Sequence, residues 1–377
     1  MRKVLVVFGG KSCENEISVL TGVFVLNLLG REKYRVYPVY IHTDGAWYYS
    51  ESFYGLEPFK RGDFSNCTRV FLQGGYLYEH KENKGRGKTK RIAKLDCALN
   101  CCHGGLGEGG GISAICGLNG IPLASPDMLP SSVFLDKGAT KIVAAGLGVP
   151  TLDYLRVSEK DYRKRGKFLL KTVATRLKYP VIVKPARLGS SIGICLAKTE
   201  EELETAIDAA FTLDDKVVIE KYLADKKDVN CAAYAMNGEI FVSEAEVASE
   251  TSGVYSFQEK YLKPRGTAKG ERSVKTLGEV DEEVAKKIKA YTKTVYKKMD
   301  VRGVIRIDYL VSGKEVYLSE VNTVPRSLAY YLFCERVTDA RQFFFDLIED
   351  AISFQEKKPV LSTGILQKVR LNGKIRL

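Results

Sequence analysis

Apolar residues arrive in two rhythms along this chain. Val4 to Phe8 form an unbroken apolar run that ends in Gly9-Gly10. A short run stopped by glycine predicts a strand buried on both faces. A first buried strand is expected here rather than a secretory signal, whose apolar region needs roughly 7–15 residues. From Glu16 to Leu29 the rhythm changes. Ile17, Leu20, Val23, Phe24 and Leu28 recur at helical spacing. Tyr34–Ile41 and Cys97–Cys102 return to strand character. This β-α-β order predicts a parallel sheet flanked by helices. Ligands bind such sheets at the C-terminal strand ends, where Gly9-Gly10 and Gly104-Gly105 fall.

The pattern then shifts. Residues Pro122 to Pro130 read as a crossover into a second unit. Asp136 to Leu147 is a helix stopped by Gly148 and Pro150. Val181–Lys184 and Val217–Lys221 are short buried strands, and Glu200–Phe211 between them is an amphipathic helix. The last third alternates strands (239–248, 303–311, 315–321) with helices (281–299, 338–353). Asn372-Gly373 between alternating segments predicts a terminal hairpin over 366–377.

Composition bounds what this architecture can be. With 377 residues, the chain is long enough for two or three domains. No apolar run approaches the roughly 18 residues of a membrane span. The nine cysteines are an odd count without zinc-type CxxC pairs, so they read as reduced, mostly buried thiols. The net charge of +12 is concentrated in residues 81–94, at +6, and 356–377, at +5. Without interleaved aromatics, these read as a solvated loop and a solvated tail rather than a nucleic-acid surface.

Candidate chemistry lies in three places. Arg306-Ile-Asp308 and Glu320-Val-Asn322 are both spaced i, i+2 in predicted strands, which puts each pair on one face. If the strands pair through Ser312-Gly313, the four groups converge. Two carboxylates and an amide oxygen suit Mg²⁺ shared with substrate phosphates. Arg306 beside them can steady charge that develops in a reaction. Second, Lys184 ends a strand before the small-residue loop Gly189-Ser190-Ser191, which resembles a phosphate grip. Gly10-Lys11-Ser12 mimics the tail of a Walker loop, but the required leading glycine is Leu5. Third, Glu220-Lys221 ends a strand that continues through Leu223, where exposed backbone can meet a flat base edge. Gly105-Leu-Gly107-Glu-Gly-Gly110 formally matches a dinucleotide fingerprint. It lacks the acidic residue expected about 20 positions on.

These features, in this order, resemble the D-alanine–D-alanine ligase family. The resemblance runs from about residue 3 to residue 350. Its markers are Gly9 to Ser18, with Glu14 and Glu16; His103-Gly-Gly-Leu-Gly-Glu108; Asp136-Lys137; Val183-Lys184-Pro with Gly189-Ser190-Ser191; Glu220-Lys221; Lys260-Tyr261-Leu262; Arg306-Ile-Asp308; and Glu320-Val-Asn322-Thr-Val-Pro325. The resemblance implies an α/β, three-domain ATP-grasp fold. The expected units are a Rossmann-like N-terminal parallel-sheet domain (1–125), a central ATP-grasp subdomain (126–222) and a C-terminal one (223–377).

It further implies a cytoplasmic homodimer that joins two D-alanines for peptidoglycan precursors through an acyl phosphate. Neither nucleic acid nor membrane is an expected partner. ATP would be held by Lys137, Lys184, Ser190, Ser191, Glu220, Lys221, Leu223, Asp228 and Lys260. Asp308, Glu320 and Asn322 would hold two Mg²⁺, with Mn²⁺ as a substitute. Glu14 would bind the first ammonium with His103 nearby, and Arg306 would stabilise the tetrahedral oxyanion. Glu14, Ser190 and Tyr261 would form a hydrogen-bonded latch closing a mobile loop.

The chain departs from the family's pattern on the acceptor side. Arg326 stands for a glycine after Pro325, and Tyr331 for a serine that holds the acceptor carboxylate. Gly109 and Ser113 replace an aspartate and a glutamine, and Asp228 approximates a ribose-binding glutamate. Two readings follow: the family's own reaction with Arg326 and Tyr331 lining a remodelled acceptor pocket, or a paralogous ligase for another amino acid or carboxylate.

Overall fold

The N-terminal apolar run is strand β1 (Arg2–Gly9), with Val4 to Phe8 wholly buried. It lies between β2 (Tyr34–Ile41) and β7 (Cys97–Asn100), parallel to both. The computed structural model describes residues 1–30, 32–83, 86–249 and 280–356. Lys260, Tyr261 and the expected hairpin over 366–377 lie outside them. The helix Asn15–Leu29 packs on β1, and Gly22 allows its approach: a Cβ there would stand 2.3 Å from Phe8 Cγ.

Four further strands make this sheet mixed rather than purely parallel. They are β3 (Trp47–Tyr49), β4 (Thr68–Gln73), β5 (Tyr76–Asn83) and β6 (Arg86–Lys94). The order is β6-β5-β4-β3-β2-β1-β7, with an antiparallel meander from β2 to β6. The basic stretch expected as a loop therefore contributes most of a hairpin. Buried Leu77 and Ala93 face each other across β5 and β6, and the Arg91 guanidinium lies 4.2 Å from the Tyr76 ring centre. Lysines along an exposed edge strand also discourage pairing with another chain.

A second sheet joins β8 (Tyr154–Ser158), β9 (Val181–Pro185), β10 (Cys195–Ala197) and β11 (Lys216–Lys221), antiparallel in the order β10-β9-β11-β8. Helices Glu159–Thr172 and Glu200–Phe211 cover it, closing a core that includes Leu170, Val183, Leu203, Ile207 and Ile219. The second helix starts on Thr199, whose side chain accepts from Glu202 N, with three glutamates in its first turn.

The third sheet holds β12 (Lys227–Met236), β13 (Glu239–Val242), β14 (Glu246–Ser249), β15 (Val304–Ser312) and β16 (Glu315–Asn322). Its order is β13-β12-β15-β16, with β14 also paired to β12. The strand expected over 239–248 is thus two. The helix Glu282–Lys298 covers one face, against Cys231, Ile305, Ile307 and Tyr309. The other face carries Val304 and joins the core of the first sheet. The helix Ala340–Glu356 returns to that core through Phe343, Phe344, Leu347 and Ile348. The described cysteines are free thiols, and five of the nine are buried. Among the described residues, no helix is long and apolar enough to cross a membrane.

Candidate active site

Strand alternation decides where the charged groups of β15 point. Ile305 and Ile307 fill the core beneath the sheet, so Arg306 and Asp308 project from the opposite face. β16 pairs so that Asp308 faces Glu320 and Arg306 faces Asn322. The four residues therefore share one face, as their spacing predicts. Arg306 grips Asp308 with two hydrogen bonds, Nε to Oδ1 at 2.7 Å and Nη2 to Oδ2 at 2.8 Å. Asn322 Nδ2 donates to Asp308 Oδ2 at 3.2 Å. That bond turns the amide nitrogen inward and leaves the amide oxygen for a cation. Two carboxylates and an amide oxygen are hard donors of the kind Mg²⁺ takes. The donor set fits the ion.

Lysines from two other elements face this hairpin. Asp136 caps the helix Lys137–Gly146 by accepting from Ala139 N at 3.0 Å. Lys137 follows, buried, with Nζ 3.6 Å from Glu320 Oε2 and donating to the Leu188 carbonyl. Lys184, near the end of β9, donates to Glu220 Oε2 at 2.7 Å. Burial alone would raise the Glu220 pKa, but Lys184 and Lys141 hold it at about 2. Glu220 Oε1 is buried 3.0 Å from Lys141 Nζ, so an ammonium meets each oxygen of this carboxylate. A carboxylate fixed between two ammoniums suits a ligand that brings negative charge, which ATP does. Lys221 ends β11, and Leu223 lies in the short segment leading to β12. Asp228 is held by Lys226 at 2.7 Å.

The loop after β9 crosses to the first sheet. Ser190 and Ser191 are both left-handed, at φ 54° and 61°, which costs roughly 1–2 kcal/mol per residue. Ser190 Oγ donates to Glu14 Oε1. Glycine lies on both sides of that carboxylate: a Cβ at Gly189 would lie 2.6 Å from Glu14 Oε2, and one at Gly104 2.7 Å, so a larger residue at either would displace it. Two members of the expected latch thus meet, and Tyr261 lies outside the described residues, as does Lys260.

His103 is buried, with Nε2 2.8 Å from Thr21 Oγ1. Burial, then the charges of Arg306 and Arg326, depress its pKa to about 3, so it is neutral. Glu108 is the residue whose position the motif alone did not disclose. Its Oε2 accepts from Gly104 N at 2.7 Å, and its Oε1 accepts from Thr323 N and Val324 N at 3.1 Å. Burial and the nearby Glu14 charge raise its pKa to about 7, against those donors. Glu108 lies within the glycine-rich turn Gly107–Gly111, which departs from helical geometry at Gly110 (φ 100°). Lys141 is the second residue the sequence reading missed. Its spacing one turn after Lys137 was the available signal.

On the acceptor side, the backbone turns left-handed just beyond Arg326. Ser327, Leu328 and Ala329 have φ of 51°, 53° and 52°. This turn brings Tyr331 back so that Arg306 Nη1 donates to its hydroxyl at 3.2 Å, and Ser327 N donates to Thr21 Oγ1 at 3.2 Å. Arg326 faces His103 closely enough to act on its pKa.

Three sheets thus converge on a carboxylate–amide hairpin, two lysines and a bridging serine, the arrangement of an ATP-dependent ligase with the ATP-grasp fold. Two family models match the chain, D-ala D-ala ligase N-terminus over residues 3–126 and D-ala D-ala ligase C-terminus over residues 143–353. The D-alanine–D-alanine ligase of Thermosipho melanesiensis is 31% identical over 371 residues, covering 97% of this chain and 99% of its own. Among solved structures, the D-alanine–D-alanine ligase from Helicobacter pylori superposes with a TM-score of 0.74 at 26% identity, covering 95% of this chain and 100% of its own. The VanG D-Ala:D-Ser ligase from Enterococcus faecalis gives 0.73 at 25% identity, covering 94% and 99%. This chain belongs to the D-alanine–D-alanine ligase family. Its reaction draws on ATP and Mg²⁺ and on small-molecule substrates.

Proposed function

We propose that this enzyme makes D-alanyl-D-alanine for peptidoglycan precursors. The carboxylate of a first D-alanine takes the γ-phosphoryl group of ATP. The amine of a second attacks the acyl phosphate, and ADP, phosphate and the dipeptide leave. The observation that carries this reading is the β15–β16 register, which sets Asp308 against Glu320 and Arg306 against Asn322, facing Lys137.

Each residue then has a task. Glu14, aligned by Ser190, takes the first ammonium, and neutral His103 lies beside it without repelling that cation. Lys137, Lys184 and the Ser190-Ser191 backbone hold phosphates. Glu220, Lys221 and Leu223 meet the adenine edge, and Asp228 the ribose. Arg306 neutralises the tetrahedral oxyanion. Asp308, Glu320 and Asn322 would hold two Mg²⁺, or Mn²⁺ in their place, which neutralise phosphate charge when bound. Lys260 and Tyr261 close the site against water. The enzyme works as a cytoplasmic homodimer, built from units 1–125, 126–222 and 223–377.

One observation favours a second reading, a ligase with another acceptor. Tyr331 is tied to Arg306 by its hydroxyl, and Arg326 adds a cation beside His103. In the first reading, Arg326 would pair with the carboxylate of the second D-alanine and the Tyr331 hydroxyl would replace the serine's; in the second, the same departures would admit another amino acid or carboxylate. Purified enzyme with ATP, Mg²⁺ and D-alanine separates the two. The first reading expects ADP, phosphate and dipeptide from D-alanine alone. Phosphate release only when a different amine is added would overturn it.

A further inference from the structure

Lys141 lies one helical turn beyond Lys137 and is 1% exposed. Its Nζ stands 3.0 Å from Glu220 Oε1 and 5.2 Å from the Tyr154 ring centre. Lys184 holds the other carboxylate oxygen at 2.7 Å. Two ammoniums thus share one carboxylate at a buried point, and within this trio one positive charge is in excess, with Glu320 and Asp228 acting on Lys184 from outside it. Burying an unbalanced charge is costly unless an opposite charge comes to it. A lone Lys184–Glu220 pair would close on itself, its attraction spent inward. The extra cation changes that balance. Lys184 is the more exposed of the two lysines, at 9%, so the excess is presented on its side.

We propose that Lys141 is a positioning residue for the nucleotide: it shares Glu220 with Lys184, so that Lys184 keeps positive charge for a phosphate while Glu220 stays fixed. This rests on the reading of Lys184 and Glu220 as nucleotide ligands. Lysine at this position then acts through its charge, not through the space it fills.

Calorimetric binding of ADP and of adenosine to the full-length enzyme tests this. Lys141→Met should weaken ADP by about tenfold, the factor that 1.4 kcal/mol represents, and weaken adenosine much less. In turnover, KM for ATP should rise with kcat little changed, the mark of lost binding shared by ground and transition states. The double variant Lys141→Met/Glu220→Gln removes both partners and should recover the ADP-to-adenosine affinity ratio of the native enzyme. It also serves if the single variant fails to fold. Equal loss of ADP and adenosine, or no recovery in the double variant, would overturn the proposal and leave Lys141 as packing. Lys184→Met is the control for the underlying reading: unchanged ADP affinity there would sink the nucleotide site itself.

Discussion

Glu108 shows how one buried carboxyl can hold distant parts of a chain together. It accepts from Gly104 N on one side and from Thr323 N and Val324 N on the other, linking the loop after β7 to the segment after β16. Its pKa is raised from 4.5 to about 7, by burial first and the Glu14 charge second. A raised pKa means the folded state binds the proton more tightly. This contribution is therefore fully present below about pH 4.5 and lost as pH rises through about 7. Its size is about 3 kcal/mol. Thermal melting between pH 4.5 and 8 should show that decline, and Glu108→Gln should flatten it. His103 works in the opposite sense. Its pKa falls from 6.5 to about 3, so its contribution is present above about pH 6.5 and lost as pH falls through about 3. Imidazole nitrogen shifts by NMR at pH 5 should report a neutral ring; a charged ring there would contradict the burial described. Both residues stood out in the sequence within one motif. Their tasks did not, because Thr323, Val324, Arg306 and Arg326 reach them only through the third sheet.

Loops at strand ends carry the next scale of the design. Gly189-Ser190-Ser191 combines a glycine pressed on Glu14 with two left-handed serines. Gly189→Ala places a methyl group 2.6 Å from the Glu14 carboxylate. Little of the core touches this loop, so the melting temperature should hardly move. Displacing Glu14 should lower kcat/KM for the first amino acid by about a hundredfold, the scale of a misplaced positioning group. Unaltered kinetics would remove Glu14 from the site. The left-handed run Ser327–Ala329 makes the converse case. Glycine accepts that backbone without a Cβ penalty, so Ser327→Gly should not destabilise, whereas Ser327→Val should cost about 1–2 kcal/mol by denaturant titration.

Legibility differed between such elements for a physical reason. The β15–β16 hairpin was readable because alternation fixes which side chains share a face. The β5–β6 hairpin was not, because Leu77 and Ala93 are its few buried apolar anchors among lysines and arginines. The left-handed turn after Pro325 was not readable either, since it is tied to Thr21 and Arg306 by contacts that local sequence does not carry.

Across the whole molecule, the cores are not shared equally. Val4, Val6, Leu26, Ala232, Val304, Val324, Phe344 and Ile348 belong to one apolar cluster that spans the first sheet, the third sheet and the last described helix. The second sheet closes its own cluster within residues 157–219. The hairpin face that bears Arg306 and Asp308 is therefore fixed to the first sheet by packing. The second sheet, which bears Lys184, reaches the first through polar contacts such as Ser190 to Glu14. Polar contacts open more readily than a packed core, and local stability follows that difference. Phe344→Ala tests this division. Truncating a wholly buried phenylalanine costs about 3–5 kcal/mol. In native-state hydrogen exchange, the loss should appear equally in the slowest amides of β1 and β15, which lie on either side of that side chain's cluster. Amides of β9 and β11 should keep their protection, because their core excludes it. Equal loss in all three sheets would show one cooperative body instead. The site would then be held by the fold as a whole, with no hinge between the second sheet and the other two.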